Sequence, residues 1–227
     1  MLDFPAPKTM AKALRSALAE RDVALSHAQC LDVVARQLGF ADWNVLAPRL
    51  DDAKPLVMPE GWFPAGHSSP EHFRMGIAPD MPGVALVETV SGTRIPDGAT
   101  GVLMQAISAA AFAGKRLRLT AELKTRMAGS GTIWMRVDPK GGGGRFLAFD
   151  NTMGRRENGP LTGDTDWSER AIVLDVPEDA ESVHFGFLLK APGSLWGRAV
   201  RLEAVGQDVP VTGGRNFPPE PTNLGFE

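Results

Sequence analysis

The first fifty residues carry apolar side chains at helical spacing. Met10, Leu14 and Leu18 recur every four residues, which predicts a first helix over residues 8–20. A second helix has clear start and stop signals: Ser26 is placed as its N-cap, and a glutamine three residues later completes a capping box. Its apolar stripe is followed by a glycine suited to end it. The stripe consists of Leu31, Val34 and Leu38, and the terminating glycine is Gly39.

A third, short helix follows, with Asp42 as its cap and Pro48 as its limit. The sequence therefore predicts a small three-helix domain over residues 1–50, with a core so small that it needs support from elsewhere. Residues 51–60 are polar and proline-bearing and have no period of either kind, which is typical of a linker.

Beyond residue 60 the apolar period changes from 3.6 to 2. The clearest strand is Lys115–Arg126, in which leucines alternate with charged residues, so one face of its sheet is buried and the other is wet. Similar patterns predict strands over 61–66, 72–77, 84–90, 99–107, 133–137, 145–150, 172–176, 183–189 and 200–204. About ten short strands without a long intervening helix predict a mainly β fold, an antiparallel jelly-roll β-sandwich over 61–227.

The C-terminal stretch 206–227 is rich in proline and glycine but finishes on apolar residues, as tails that return to the fold often do. We expect Asn223–Glu227 to pair at the sheet edge beside Gly61–Gly66, in the same subunit or in a neighbour.

Composition narrows the classes of function. The net charge is −3, and residues 1–54 contain seven basic and seven acidic side chains, which disfavours nucleic acid as a partner. No apolar run is long enough to span a membrane, and the N-terminus lacks a signal-peptide pattern, so we expect a cytoplasmic protein without a membrane partner. A single cysteine, Cys30, allows neither an internal disulfide nor a cysteine-based zinc site. The sequence predicts no cofactor.

The segment Leu25–Leu46 reads LSHAQCLDVVARQLGFADWNVL, and its Leu-Ser-His…Leu-Gly-Phe-x-Asp-Trp-Asn pattern resembles a small bacterial helical domain described as glyoxalase-related. The resemblance covers about 45 residues and implies the helical domain alone. Glyoxalase enzymes are built from βαβββ modules with paired His and Glu metal ligands, whereas this chain has four histidines spread over both parts.

The larger part is similar to galactose-binding-like jelly-roll domains appended to bacterial AraC-type regulators and hydrolases. The matching residues are Gly61–Phe63, Gly101–Gln105, Gly114–Leu119, Trp134–Asp138, Phe149–Asn151, Thr165–Trp167, Val173–Pro177 and Phe185–Leu189. The resemblance implies a generally non-catalytic domain. After Trp196, where such domains carry an acidic pair, this chain has Gly197-Arg198-Ala199.

The candidate binding site centres on Trp134 and Arg136, whose parity places them opposite the core residues of their strand. An open tryptophan beside an arginine is typical of a saccharide platform. Four further side chains are candidates to join it: Gln105, Asp150, Asn151 and His184, with Gly186 leaving room. The alternative is that the tail or the helical unit covers this face, since Leu103, Phe149 and Leu188 share the outward parity.

Other chemistry finds less support. Trp62, Trp167 and Trp196 fit structural roles, and His67 and His72 around Glu71 match no metal-binding motif. No nucleophile or phosphate-binding motif is present, so no catalytic residue is assigned. The acidic pairs Asp164/Asp166 and Asp150/Glu157 are all that suggests a hydrolase.

Three hypotheses result. The first is a non-catalytic binding protein for a small polar or saccharide-like molecule, whose helical unit mediates assembly or partner contact. The second is an interaction module, regulatory and weakly associated with DNA, that pairs with a protein partner or a second copy through the helical unit or the outer sheet face. The third is a hydrolase.

Overall fold

The computed structural model describes residues 6–52, 55–90, 94–141, 145–155, 157–212 and 224–225. The chain divides into two compact units, a helical unit, Met1–Lys54, and a β unit, Pro55–Glu227. Across the described ranges, no helix has both the length and the apolar character needed to cross a membrane.

The helical unit follows its sequence signals closely. Its helices are α1 (Pro7–Ala19), α2 (His27–Gln37) and α3 (Trp43–Asp52). At the start of α2, the Gln29 N–H donates to Ser26 Oγ at 3.2 Å, and the Ser26 N–H donates to Gln29 Oε1 at 2.8 Å, which completes the capping box. At its end Gly39 has φ of 86°, and the Phe40 N–H donates to the Ala35 carbonyl at 3.0 Å, as in a Schellman motif.

Helix α3 does not stop where the sequence predicts. It continues through Pro48 to Asp52, although an interior proline removes one hydrogen bond of the helix. Residues 51 and 52 of the predicted linker 51–60 belong to α3. The Val57 carbonyl accepts from the Ile77 N–H at 2.7 Å, so the chain after Pro55 is already part of the β unit.

The β unit is an antiparallel jelly-roll sandwich, so the predicted mainly β fold is confirmed. Its strands are β1 (Phe63–Pro64), β2 (Phe73–Ile77), β3 (Ala85–Thr89), β4 (Thr100–Ser108), β5 (Arg116–Pro139), β6 (Ala148–Asp150), β7 (Leu161–Asp175), β8 (Ala180–Lys190) and β9 (Ser194–Val205). Two predicted strands, 115–126 and 133–137, form the single strand β5. The interruption in apolar alternation between them is the point where β5 passes from one layer to the other.

The sandwich has two layers that share β5. Sheet A has the order β7–β5–β9–β3–β2 and uses the first half of β5, Arg116–Arg126. Sheet B has the order β1–β4–β8–β5–β6 and uses the second half, Ser130–Pro139. Register shifts near Ala128 mark the crossing. The core between the layers is formed by leucines of the first half and by Ile133, Met135 and Val137 of the second.

The outer faces of the two sheets differ in chemistry. Sheet A carries opposite charges across its strands, each facing its partner. These ion pairs are Arg74–Glu88, Arg116–Asp175, Arg118–Glu203, Lys124–Asp166 and Arg198–Glu122. Sheet B instead carries apolar side chains beside one small polar group of residues. The balanced charges of sheet A are typical of a face exposed to solvent. The apolar outer face of sheet B is not, so its exposure needs another explanation.

The described part of the tail returns to sheet A. The Thr212 N–H donates to the Val173 carbonyl on β7 at 2.8 Å, and the Val173 N–H donates to Thr212 Oγ1 at 2.7 Å. The predicted pairing of Asn223–Glu227 lies outside the described residues, apart from Leu224 and Gly225, which form an exposed turn.

Candidate functional site

Strand register brings Trp134, Arg136 and His184 onto the outer face of sheet B. Trp134 on β5 lies across from Gly186 on β8, and Arg136 lies across from His184. On the other side of β8, Met104 of β4 pairs with Gly186. Met104 and Trp134 therefore lie in line across the sheet. The alternation of β5, with apolar residues at every odd position from 133 to 137, places all even positions on this face.

A groove of about 290 Å³ opens on this face. It is lined by Ala65, His67, Val102, Met104, Trp134, Arg136, Phe149 and Leu188. Its volume is at the lower end of the roughly 300–1,000 Å³ typical of small-molecule sites. Most of the lining is apolar and Arg136 brings charge to it, so the groove fits a molecule of one or two rings that carries polar groups.

Trp134 lies in the groove wall and does not form an open platform. The side chain is 7% exposed and packs with Val102 and Met104, with Phe149 and Leu188 partly buried against them. Side chains of sheet B itself therefore bury the indole ring. Cover of this face by the tail or by the helical unit stays a prediction.

A polar group of residues adjoins the groove at Arg136. The Arg136 Nη2 donates to Asp138 Oδ2 at 2.8 Å, and His184 Nε2 lies 3.3 Å from the same oxygen. His184 Nε2 also lies 2.9 Å from Ser182 Oγ. Burial lowers the pKa of His184 below its ordinary 6.5, and Arg136 adds to the shift while Asp138 opposes it. The imidazole is therefore neutral at neutral pH.

Three buried nitrogen atoms of this region have no hydrogen-bond partner within the part of the chain that the structure describes. They are Trp134 Nε1, Arg136 Nε and His184 Nδ1. Buried polar atoms in native proteins are nearly always hydrogen-bonded, and leaving one unpaired costs about 1–3 kcal/mol. All three atoms belong to side chains on the outer face of sheet B, on the neighbouring strands β5 and β8.

Three predicted site residues are placed elsewhere. Gln105 pairs with Phe185, a core residue, so it faces into the sandwich, with its amide close to Gly61. Asp150 forms an ion pair with Arg155 and accepts from a backbone N–H in the following turn. Asn151 accepts from a backbone N–H in that same turn.

The sequence therefore assigns the residues of β4 to the wrong faces of the sheet: those predicted to face outward face the core, and their neighbours face outward. Leu103 is fully buried in the main core, and its neighbours Val102 and Met104 face outward to line the groove. Strand β4 is apolar on both faces, so alternation alone does not determine which face is outside.

Gly186 has a different role from the expected one. A side chain at this position would collide with the Leu103 carbonyl and with Met104 Cα. The glycine therefore allows β4 and β8 to approach each other, and no ligand is needed to explain it.

The arrangement of Ser182, His184 and Asp138 does not match a nucleophile relay. In a Ser-His-Asp triad the serine and the carboxylate contact different ring nitrogens, whereas here both are close to Nε2. Asp166, on β7, offers little for hydrolysis either: the Trp167 backbone N–H and Lys124 lower its pKa, so this carboxylate is a poor general acid.

Metal binding has no support among the described residues, which include no group of three or more His, Cys, Asp or Glu side chains able to hold an ion.

A second groove of about 300 Å³ lies beside Trp62, whose ring stacks on Phe187 with centroids 5.6 Å apart. The charged residue in its lining, Arg198, is already occupied, because it donates to Glu122 at 2.6 Å and lies over the Trp167 ring.

Comparison with known proteins gives three likenesses: to a family, to a curated relative and to solved structures. Residues 3–76 match the model of a family described as glyoxalase superfamily protein, so a domain of this superfamily lies at the N-terminus. The match covers about a third of the chain and extends past Lys54 into β2.

A curated relative is 38% identical over 177 residues, which is 74% of this chain and 57% of the relative. It is the "Uncharacterized HTH-type transcriptional regulator YbfP" of Bacillus subtilis (strain 168). The chain thus spans somewhat more than half of this relative's length. Because the helical unit is less than a quarter of the chain, the match includes more than half of the β unit.

Solved structures similar to the chain include one described as "CBM4 structure and function", at 16% identity, 67% of this chain, 95% of that chain and a TM-score of 0.45. Another is the Clostridium thermocellum xylanase Xyn10B, CBM22-1 and GH10 modules complexed with xylohexaose, at 10% identity, 66% of this chain, 27% of that chain and a TM-score of 0.46. At this level of identity and superposition, the likeness indicates neither a ligand nor a site.

Proposed function

We propose that the protein is a non-catalytic cytoplasmic binding protein whose β unit holds a small polar, saccharide-like molecule in the groove on sheet B. The helical unit mediates assembly or contact with a partner. The observation that carries the proposal is the indole of Trp134, which is 7% exposed and whose N–H has no acceptor among the described residues.

The groove combines the two properties that saccharide recognition needs. Its apolar lining suits the C–H face of a sugar ring, which packs well against aromatic and aliphatic side chains. The unpaired nitrogens of Trp134 and Arg136 are hydrogen-bond donors, so a ligand oxygen beside them would remove the cost of leaving them buried.

The name of the Bacillus subtilis relative supports a regulatory use for such binding. That relative is described as a transcriptional regulator, and its similarity to this chain includes more than half of the β unit. A ligand module of a regulatory protein would need affinity and selectivity but no chemistry. Direct DNA contact by the helical unit has less support, because residues 1–54 carry as many acidic as basic side chains.

The experiment compares ligand binding by the wild type and by Trp134→Phe, a change that removes the indole N–H and keeps an aromatic ring in the core of the groove. Soluble mono- and disaccharides are titrated by ¹H–¹⁵N NMR. We expect at least one to bind, with amide shifts on β4, β5 and β8, and a loss of about tenfold in affinity in the variant, the equivalent of one hydrogen bond to a buried donor.

Trp196→Phe is the matched control, because Trp196 packs against a separate apolar cluster that includes Leu86. It should leave the affinity unchanged. Binding that survives Trp134→Phe but not Trp196→Phe would place the site elsewhere, and no shift with any sugar would contradict the proposal.

A protein interface on the same face is the second candidate, favoured by two exposed aromatic side chains on the edges of sheet B. Phe63 is 42% exposed beside β4, and Phe146 is 54% exposed and touches Phe149. A stable dimer by light scattering that Phe63→Glu dissociates, in the absence of any sugar binding, would favour this candidate.

A further inference from the structure

We propose that the groove on sheet B is specific for a monoanionic ligand, a sugar acid whose carboxylate binds the guanidinium of Arg136 at one end of the groove. The inference rests on the proposed function and goes further, since it assigns the charge of the ligand and the end of the groove at which that charge lies. A groove that binds neutral sugars would meet the proposed function without it.

The fixed charge of the groove lining is positive. Among the described residues that line the groove, Arg136 is the only Lys or Arg, and none is Asp or Glu. The other lining residues are apolar, apart from His67. A molecule that enters the groove therefore meets a cation and no carboxylate in the described part of its wall.

The order of residues along the strands places Arg136 at one end of the groove. Trp134 and Arg136 of β5 line it, whereas Asp138, the next residue on the same face, does not. On β8 the lining residue is Leu188, and His184, the cross-strand partner of Arg136, lies outside the lining. Arg136 therefore lies at the boundary between the apolar groove and the polar group of residues beside it.

The guanidinium of Arg136 has accessible donors that its contacts within the fold do not use. The side chain is 38% exposed, and Nη2 donates to Asp138 Oδ2 at 2.8 Å. Nη1 makes no hydrogen bond with any described residue and is not among the buried unpaired atoms, so solvent reaches it. A guanidinium binds carboxylates well because its N–H groups are charged and lie in one plane. The accessible Nη1 is enough for this contact, which does not depend on the buried Nε.

Asp138 offsets only part of the positive charge for a ligand in the groove. It lies two residues further along β5, about 7 Å along the strand, on the side away from Trp134. A carboxylate bound to Nη1 of Arg136 is closer to the guanidinium than to Asp138. Because the Coulomb energy falls with distance, a monoanion is attracted. A dianionic phosphate group matches the site less well, since a single guanidinium would face two negative charges in addition to Asp138.

The body of the ligand then lies on apolar surface. The wall beside Arg136 includes Trp134, Met104, Val102 and Leu188, which suit the C–H face of a sugar ring. The groove of about 290 Å³ has room for one or two rings. A hexuronate consists of one sugar ring with one carboxylate beside it, so its apolar face and its charge match the two parts of the site.

The test titrates the full chain with two matched pairs of probes, galacturonate with galactose and glucuronate with glucose, by ¹H–¹⁵N NMR at pH 7.5. The members of a pair differ only in the carboxylate, which is ionised at this pH and is replaced by a hydroxymethyl group in the neutral sugar. We expect at least one uronate to bind about tenfold or more tightly than its neutral partner, with amide shifts around Arg136. Raising NaCl from about 0.05 M to about 0.5 M should weaken uronate binding several-fold and leave binding of the neutral sugar unchanged.

Three variants separate recognition of charge from folding. Arg136→Gln removes the charge and keeps a polar side chain, so it should lower uronate affinity about tenfold and change that of the neutral sugar by less than about twofold. Arg118→Gln is the matched control, because Arg118 is 41% exposed and is paired with Glu203 on the outer face of sheet A. It removes the same net charge and should change neither affinity. Asp138→Asn keeps an acceptor for Arg136 and removes the opposing charge, so uronate affinity should rise, which damage to the fold would not produce.

The outcomes distinguish this inference from the proposed function. A neutral sugar that binds as tightly as its uronate overturns the inference and leaves the groove as a saccharide site. The inference is also overturned if Arg136→Gln lowers the affinities for both members of a pair equally, or if Asp138→Asn does not raise uronate affinity. If none of the four probes shifts any amide of sheet B, the saccharide proposal fails and this inference fails with it.

Discussion

At the scale of single residues, the environment of His184 keeps its imidazole neutral. The side chain is 19% exposed, and it is flanked by an arginine that disfavours a second positive charge and by a carboxylate that opposes this effect. Because burial outweighs the carboxylate, the folded protein binds a proton at this ring less tightly than the unfolded chain does.

This difference predicts how stability depends on pH. Well above pH 6.5 the ring is neutral in both states and contributes no pH dependence. As the pH falls below 6.5, the unfolded chain takes up a proton that the folded chain resists, so the free energy of unfolding decreases until the lower folded pKa is reached. Urea denaturation of wild type and His184→Asn between pH 7.5 and 5.0 should show a steeper decrease for the wild type.

The variant removes the contribution of His184 and leaves those of the carboxylates, so the difference between the two curves isolates this one group. A difference that stays constant across the pH range would contradict the assigned environment.

The sequence predicted which face of sheet B some of these residues occupy, and the limit of that prediction has a physical cause. Trp134 and Arg136 were placed correctly because β5 alternates strictly around Ile133, Met135 and Val137. The partners from neighbouring strands depend on register, which a single strand does not encode. The unpaired nitrogens likewise result from the packing of side chains, and no spacing of residues along the chain predicts them.

At the scale of elements, the separation between β4 and β8 determines the shape of the groove. At Gly186 of β8 the backbone of β4 leaves no room for a side chain, since a Cβ there would lie 2.8 Å from Met104 Cα. Met104 lines the groove, so any change in this spacing changes the binding surface as well as the stability.

Gly186→Ala should therefore destabilise the β unit by about 1–3 kcal/mol, the usual cost of overpacking a close contact that only backbone movement can relieve. Gly66→Ala is the matched control, because a Cβ at Gly66 meets nothing within 4 Å, and it should change stability by less than about 0.5 kcal/mol. Chemical denaturation measures both. Equal stability of the two variants would mean that the approach of β4 to β8 is less tight than described.

The two ends of α2 and the alternation of most β-strands were predictable at this scale because each depends on local signals. The capping box of α2 involves residues three apart, and strand alternation involves residues two apart. The continuity of β5 across both sheets was not predictable, since it results from pairing with β7, β8 and β9 together.

At the scale of the whole molecule, the boundary between the two units differs from the one that the sequence indicates. The spacing of apolar residues places the start of the sandwich at Gly61, where the period becomes 2. The folded chain instead divides between Lys54 and Pro55. The intervening residues look like a linker because they lack a period, yet Leu56 packs against an apolar cluster that includes Val84 and Leu86.

Two fragments test where the β unit begins. The fragment 55–227 keeps Leu56 and the hydrogen bond from the Ile77 N–H to the Val57 carbonyl, so it should unfold with the same midpoint as the β unit of the full chain. The fragment 61–227 exposes the cluster and leaves the Ile77 N–H without its partner. It should be less stable by about 1–3 kcal/mol, the range expected for the burial of one partly exposed leucine and one backbone hydrogen bond. Calorimetry and urea denaturation compare the two. If 61–227 proves as stable as 55–227, residues 55–60 are a linker after all, and the unit begins at Gly61 as the sequence pattern indicates.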